Sequence, residues 1–329
     1  MSAHISIVIP VYNVAAFLPD ALDSVATQSY QAWEAVIVND GSRDDSADIQ
    51  DAAVRQDARF KGLYHRNQGL SGARNRGMAY TNAPWLMFFD SDDWLYPLAV
   101  EGLVREAERL GLDLIDSYYT AVPEHWGPSA ANALPRQVLL PAKREEFPAL
   151  QARVAAFNRR LLFVAWGCLW RRSRIGDIRF DEGCLFEDVM FRFRVLPQIR
   201  SYALAEFATV AYRQREGSLI RACPKVHAWT RLADDLLEVR RLALGTFDFS
   251  PRELQQFRLA LASRVKFYFL GALRRHTLSS EAREAMRQAL LKLKAAGFPL
   301  YSKLPPFYRL PFWVFVRTGW WWRVLRTRK

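Results

Sequence analysis

Three carboxylates stand close together in Asp90-Ser91-Asp92-Asp93, directly after the apolar run from Pro84 to Phe89. Acidic side chains this close repel one another unless a cation sits between them, and oxygen ligands suit a hard ion such as Mg²⁺ or Mn²⁺. An Asp-x-Asp by itself is equally a solvated turn, so its surroundings must decide. Asn39-Asp40-Gly41-Ser42 ends a second apolar run, and Pro10-Val11-Tyr12-Asn13 ends a first. A further acidic pair, Glu187-Asp188, falls in the first turn of a predicted helix, where acids also complement the helix dipole.

The elements that carry these clusters alternate. Ile5 to Ile9 reads as a buried strand stopped by Pro10, followed by a helical pattern to Thr27 with Phe17, Leu18, Leu22 and Val25 on one face. Glu34–Val38, Lys61–His65, Trp85–Phe89 and Asp113–Ser117 read as further strands. A helix opens near Asp44 or Asp45, either of which can cap it. Another follows the glycine-punctuated loop Asn67–Asn75, and a third runs from Pro97 to Leu110. Strands alternating with helices predict an α/β fold with a mostly parallel sheet flanked by helices. In such a sheet the clusters at Tyr12-Asn13, Asp40-Gly41-Ser42 and Asp90-Ser91-Asp92 share one edge, where open α/β sheets bind ligands.

The glycine pattern excludes the commonest nucleotide folds. A dinucleotide-binding unit needs G-x-G-x-x-G straight after its first strand; here that place holds Pro-Val-Tyr-Asn, and no P-loop occurs. Any nucleotide phosphates must then be held by side chains and a metal, with Arg66, Arg74 and Arg76 as available cations. Residues 120–160, punctuated by five prolines, read as irregular. The apolar run Phe163–Trp170, the Phe186–Phe191 helix start and the strand-like run Tyr202–Ala211 form a second block, closed by Tyr212-Arg213-Gln214-Arg215-Glu216-Gly217-Ser218.

Taken together, five ordered motifs resemble the family 2 glycosyltransferases. They are Ile-Val-Ile-Pro-Val-Tyr-Asn at 7–13, Val-Asn-Asp-Gly-Ser at 38–42, Gly-Leu-Ser-Gly-Ala-Arg-Asn at 69–75, Asp-Ser-Asp-Asp at 90–93 and Phe-Glu-Asp-Val at 186–189. The resemblance covers residues 4–220 and looks closest to bacterial enzymes of surface polysaccharide synthesis. It implies a GT-A fold, a nucleotide-diphosphate sugar donor (a UDP-sugar being favoured), a saccharide or lipid-linked saccharide acceptor, and Mn²⁺ or Mg²⁺. By that resemblance Pro10, Tyr12 and Asn13 line the nucleotide pocket and Asp40 binds the base, although Asp40 is also placed to cap the next helix. Arg74 approaches the nucleotide, Asp90 faces the ribose or the metal, Asp92 ligates the metal, Asp93 orients the loop, and Asp188 is the catalytic base. No Gln-x-x-Arg-Trp of the processive synthases occurs, which implies one sugar per visit. A sugar nucleotidyltransferase and a non-catalytic nucleotide-sugar-binding relative are the rival classes.

The domains expected are residues 1–220, with a nucleotide-sugar half at 1–118 and an acceptor half at 119–220, then a helical region at 221–300 and a tail at 301–329. Trp229–Leu244, Pro251–Leu273 and Ser280–Ala296 carry apolar residues at helical spacing, with Pro251 and Gly297 as start and stop signals. The chain of 329 residues has a formal net charge of +12. From Tyr301 to Lys329 there are seven basic residues, no acid, and a Trp320-Trp321-Trp322 run. Tryptophan beside arginine suits the headgroup boundary of an anionic membrane surface, so no nucleic-acid partner is expected. Three cysteines without metal-ligand spacing, no leader pattern and no long apolar run place the protein in the cytoplasm, peripheral at the inner face of the membrane.

Overall fold

The protein is described by a computed structural model over residues 4–128, 141–146, 151, 154, 164–184, 187–215, 226–274 and 279–300. The described strands are β1 (Ile5–Val11), β2 (Trp33–Asn39), β3 (Phe60–Tyr64), β4 (Trp85–Phe88), β5 (Trp94–Leu95), β6 (Leu114–Pro123), β7 (Lys143–Glu146), β8 (Leu169–Arg171) and β9 (Ser201–Gln214). The helices are α1 (Leu18–Ala26), α2 (Ser46–Gln56), α3 (Gly69–Tyr80), α4 (Ala99–Leu110), α5 (Arg172–Ile175), α6 (Glu187–Val195), α7 (Val226–Thr246), α8 (Pro251–Arg274) and α9 (Ser280–Ala295).

One sheet runs β3-β2-β1-β4-β8-β6-β9-β5, with β7 also on β9. The β3-β2-β1-β4 block is wholly parallel, and β8 enters antiparallel between β4 and β6. Parallel strands covered on both faces read as continuous apolar runs. Accordingly Ile5, Ile7, Val8, Ile9, Val36, Ile37, Leu86, Met87 and Phe88 are fully buried. The α3 helix lies so near β1 that a Cβ on Gly77 would collide with the Val8 side chain.

Several boundaries differ from expectation. Pro10 does not stop β1; it pairs in register with Val38, and the strand continues to Val11. The carbonyl of Val8 accepts from Phe89 N on the β4 side. Pro10, two residues on, faces that same side where β4 has already ended, so its missing N–H breaks no ladder bond. Phe17 lies just before α1 rather than in its buried stripe, and it underlies the guanidinium groups of Arg213 and Arg215. The β6 strand runs on to Pro123 because its longer partner β9 pairs with it as far as Gln214, and β7 adds order inside the stretch expected to be irregular. Nothing in the sequence marked β5, whose two residues pair with Val210 and Ala211.

The chain divides into two compact units, of which the first contains the sheet. In the second, α7 and α9 pack through Leu232, Leu236, Val239, Met286, Leu290 and Leu293. Pro251 begins α8, and Gly297, with φ of 79°, follows α9. Among the described residues no helix is long and apolar enough to cross a membrane. The Trp-rich tail lies outside the described residues.

Candidate active site

The parallel register of β1, β2 and β4 brings their carboxyl ends to one edge, and with them the three polar clusters. Asn13 adopts φ of 51°, a left-handed conformation that asparagine tolerates better than most residues. Its Oδ1 accepts from Arg43 N at 2.8 Å, and its own N–H donates to Ser42 Oγ at 3.1 Å. The β1 and β2 loops are thereby tied together. Tyr12 beside it is exposed, whereas Pro10 is buried in the strand.

Asp40 is nearly buried, and both its carboxylate oxygens are engaged at the start of α3. Oδ1 accepts from Gln68 N and Oδ2 from Gly69 N, each at 2.8 Å, and His65 Nδ1 lies 3.4 Å from Oδ1. A carboxylate there satisfies backbone donors left open by the helix and complements its dipole. The helix it serves is α3, not the next one in sequence. The start of α2 is held instead by Asp44, which accepts from Ala15 N and Ser46 N.

Arg74, projecting from α3 and 1% exposed, is the hub of the site. One guanidinium nitrogen donates to Asp188 and lies 3.6 Å from Glu187, while another donates to Asp90 Oδ1 at 3.0 Å. Its flat face lies 5.3 Å from the Phe180 ring, and Asn75 grips the Phe180 backbone through both N–H and C=O. Burial works against a charged guanidinium, but Asp188, Asp90 and Glu187 outweigh it and raise the Arg74 pKa above its ordinary value.

The Asp90–Asp93 turn is held from β9. Arg215 Nε pairs with Asp92 Oδ2, and Arg213 N donates to Asp93 Oδ1 at 2.8 Å. Asp93 Oδ2 is buried and has no hydrogen-bond partner among the described residues. Burial, then repulsion from Asp92 and Asp90, pushes the Asp93 carboxyl well above the usual range. Asp90 is raised to about 6 by burial, with Arg74 opposing and Asp92 and Asp188 reinforcing. Among the described residues no group of three or more metal-binding side chains converges. Two neighbouring carboxylates, Asp90 and Asp92, nevertheless fit an ion that keeps one or two protein ligands and completes its shell with phosphate oxygens and water.

Glu187 and Asp188 open α6, as expected. Burial and the adjacent Asp188 charge raise the Glu187 pKa to about 8, although Arg74 opposes. Glu187 therefore holds its proton to higher pH than an ordinary glutamate. Between the unfolded value of 4.5 and about 8 the native state holds a proton that the unfolded chain has released. Raising pH through that window destabilises the native state. Glu187→Gln has no such proton to lose, so its melting temperature should gain on the native protein between pH 5 and pH 8.5. An equal difference at both pH values would contradict the raised pKa.

The Glycosyl transferase family 2 profile matches residues 6–170, about half the chain, and spans all three strand ends described above. The chain belongs to that family. Among curated relatives, this family 2 glycosyltransferase is 31% identical to glycosyltransferase GlyA of Streptococcus pneumoniae over 74% of the chain and 35% of the relative. It is also 31% identical to the putative glycosyltransferase EpsH of Bacillus subtilis over 67% of the chain and 64% of the relative. The chain thus spans roughly a third of the first relative's length and just under two thirds of the second's. Its fold resembles residues 1–349 of S. aureus TarS in complex with UDP-GlcNAc, with TM-score 0.64 and 18% identity, covering 89% of this chain and 81% of that one. A mannosyltransferase from Pyrobaculum calidifontis, solved with GDP-Man and Mn²⁺, aligns at TM-score 0.52 and 14% identity over 92% of this chain and 89% of its own. The mixed sheet flanked by helices is the GT-A fold of these structures.

The site of this family 2 chain brings Arg74, Asp90 and Asp188 into direct contact and sets Asp92 and Asp93 against β9. Asp40, Tyr12 and Asn13 sit at the neighbouring strand ends. Sequence reasoning assigned no role to Arg213, Arg215 or Phe180, and none to Glu187 beyond complementing a helix dipole. The alternating Arg213-Gln214-Arg215 was the available signal, but the partner of Arg215, Asp92, is 123 residues away.

Proposed function

We propose that the chain transfers one sugar from a nucleotide-diphosphate sugar, a UDP-sugar being favoured, to a hydroxyl of a saccharide acceptor, with inversion at the anomeric carbon. The supporting observation is the Arg74 bridge, which ties the carboxylate Asp188 on α6 to Asp90 at the end of β4. That single contact joins a proton acceptor to the carboxylates suited to a metal-bound diphosphate.

In this reading Asp188 takes the proton from the acceptor hydroxyl as that oxygen attacks the sugar from the face opposite the leaving diphosphate. Arg74 orients Asp188, and Glu187 stands beside it at the start of the same helix, also within reach of Arg74. Pro10, Tyr12, Asn13 and Asp40 line the edge where the nucleotide lies. Asp90 and Asp92 would hold Mn²⁺ or Mg²⁺, which as a Lewis acid neutralises charge on the departing diphosphate. Asp93 and Arg213 keep the carboxylate turn in place.

A panel of nucleotide sugars, screened for thermal stabilisation with Mn²⁺ and again with chelator, tests this. A ligand at 100 times its Kd adds about 2.7 kcal/mol of stability. Asp92→Ala should lose the metal-dependent part of that gain and remain folded, since Asp92 is partly exposed and, among the described residues, its loss releases Arg215 alone. Stabilisation that is indifferent to chelator would remove Asp90 and Asp92 as metal ligands. Release of nucleoside diphosphate only when an acceptor is added separates a transferase from a nucleotidyltransferase.

The basic, Trp-rich residues 301–329 support a second part of the proposal, that the protein lies on an anionic membrane surface where lipid-linked acceptors are concentrated. The full chain should co-sediment with vesicles containing anionic lipid at low salt, and less so at high salt. Equal binding to neutral vesicles, or none to either kind, would sink the surface-charge reading.

A further inference from the structure

The β6–β9 ladder carries two consecutive irregularities, between Asp116 and Tyr118 and between Tyr118 and Tyr119. Bulges of this kind re-aim a side chain and gather next to active sites. Here Tyr119 is 41% exposed, yet its ring lies 5.5 Å from Trp166 and 5.6 Å from Tyr212. Trp166 and Tyr212 are stacked, with centroids 5.6 Å apart and planes within 5°.

The backbone under Trp166 is equally particular. Gly167 takes φ of +69°, and a Cβ there would sit 3.3 Å from Val210 Cγ2. Its carbonyl accepts from Ser117 Oγ at 2.8 Å and from Thr209 Oγ1 at 3.4 Å, and its N–H donates to Phe88 O at 3.3 Å. A left-handed glycine and hydrogen bonds to three strands thus hold Trp166 against Phe88, the last residue of the strand that leads into Asp90. Tyr212 immediately precedes Arg213, whose N–H holds Asp93.

The Tyr212 hydroxyl gives a second sign of that neighbourhood. Its pKa is pushed up to about 12, first by burial and then by Asp93, Asp92 and Asp90. The backbone gives the same placement: Ala211, just before Tyr212, pairs with Trp94, and Arg213, just after it, donates to Asp93.

We propose that Tyr119 and Tyr212, floored by Trp166, form a stacking platform for a sugar ring of the acceptor. Aromatic faces match the flat C–H face of a pyranose, and ligand sites combine such walls with a few placed polar groups. Ordinary core packing does not account for the trio. Core rings are covered, whereas Tyr119 is open; the strand irregularity lies at Tyr119 itself, and the left-handed Gly167 adjoins Trp166. The saccharide is the occupant favoured by position: an apolar wall with phenolic hydroxyls, directly beside carboxylates, suits a polyol ring better than an apolar chain. This inference rests on the transferase reading and specifies where its acceptor lies.

The test uses the full chain with Mn²⁺ and either UDP or GDP, and methyl glycosides of glucose, galactose, mannose, N-acetylglucosamine, N-acetylgalactosamine and rhamnose as probes. Saturation-transfer NMR should show at least one glycoside receiving magnetisation through the C–H protons of one ring face. Tyr119→Ala should weaken that glycoside by about three- to tenfold, while Tyr119→Phe, which keeps the ring, should stay within about twofold. Nucleotide-dependent thermal stabilisation should be the same in all three proteins. Absence of any glycoside signal with nucleotide stabilisation intact overturns the platform alone, as does native-like glycoside binding by Tyr119→Ala or an equal loss in Tyr119→Phe. If neither nucleotide stabilises the native protein, the transferase reading itself fails, and the platform with it.

Discussion

Asp188→Asn is expected to cut sugar transfer by about 10²–10⁴-fold, the usual worth of a positioned general base. Donor binding should remain close to that of the native protein. The amide keeps an oxygen that can accept from Arg74, so the contact that holds the side chain in place survives. What the amide lacks is the ability to take a proton at neutral pH. Arg74 keeps Asp90 as a charged partner, which limits the electrostatic disturbance. Glu187→Gln is the matching control. Burial and the adjacent Asp188 charge hold the Glu187 proton to higher pH than usual, so the amide approximates the native side chain and should leave turnover within about tenfold of native. Donor-binding measurements and initial rates on the same preparations separate the two positions. Native-like turnover in Asp188→Asn would move the base elsewhere, and a larger loss in Glu187→Gln would move it one residue back.

The strands of the parallel block were legible because burial on both faces leaves an unbroken apolar run, as in Ile5–Ile9 and Glu34–Val38. Their edge was legible for the same reason, since each run ends abruptly in polar residues. Boundaries failed where tertiary pairing overrode a local rule. Pro10 continues β1 because no neighbour needs its N–H, and the two-residue β5 exists only through its pairing with β9. Asp40 shows a different limit. Its local sequence allowed either a ligand role or a cap on the following helix, but the fold brings the beginning of α3 to it, 28 residues away. Arg215 beside Asp92 and Arg74 beside Asp188 are long-range pairs of the same kind. Charges that meet across 123 and 114 residues leave no trace in local spacing.

Behind the site, Arg192 on α6 pairs with Asp116 on β6 at 2.6 Å, and both side chains are wholly buried. Asp116 Oδ2 also accepts from the Tyr202 hydroxyl at 3.1 Å. Arg192 donates to Val164 O, lies 3.3 Å from Cys168 Sγ and covers the Trp170 ring at 5.0 Å. Burial, then the Asp116 charge, raises the Cys168 thiol pKa well above its ordinary value, so this sulfur is a structural neighbour and not a nucleophile. Arg192→Met should cost about 3–5 kcal/mol of stability, because it strands the Asp116 carboxylate in the core. The double variant Asp116→Leu with Arg192→Met should recover most of that loss, since an apolar pair avoids the desolvation of two charges. Denaturant midpoints of the single and double variants measure the difference. The pair also fixes α6 against β6, so the rescued double variant isolates a second effect. If its stability returns but turnover does not, the ion pair sets the placement of Asp188 at the start of the same helix. If both return together, the pair serves folding alone. A single variant that loses less than about 1 kcal/mol would show that water reaches Asp116 and that the charge is not buried in solution.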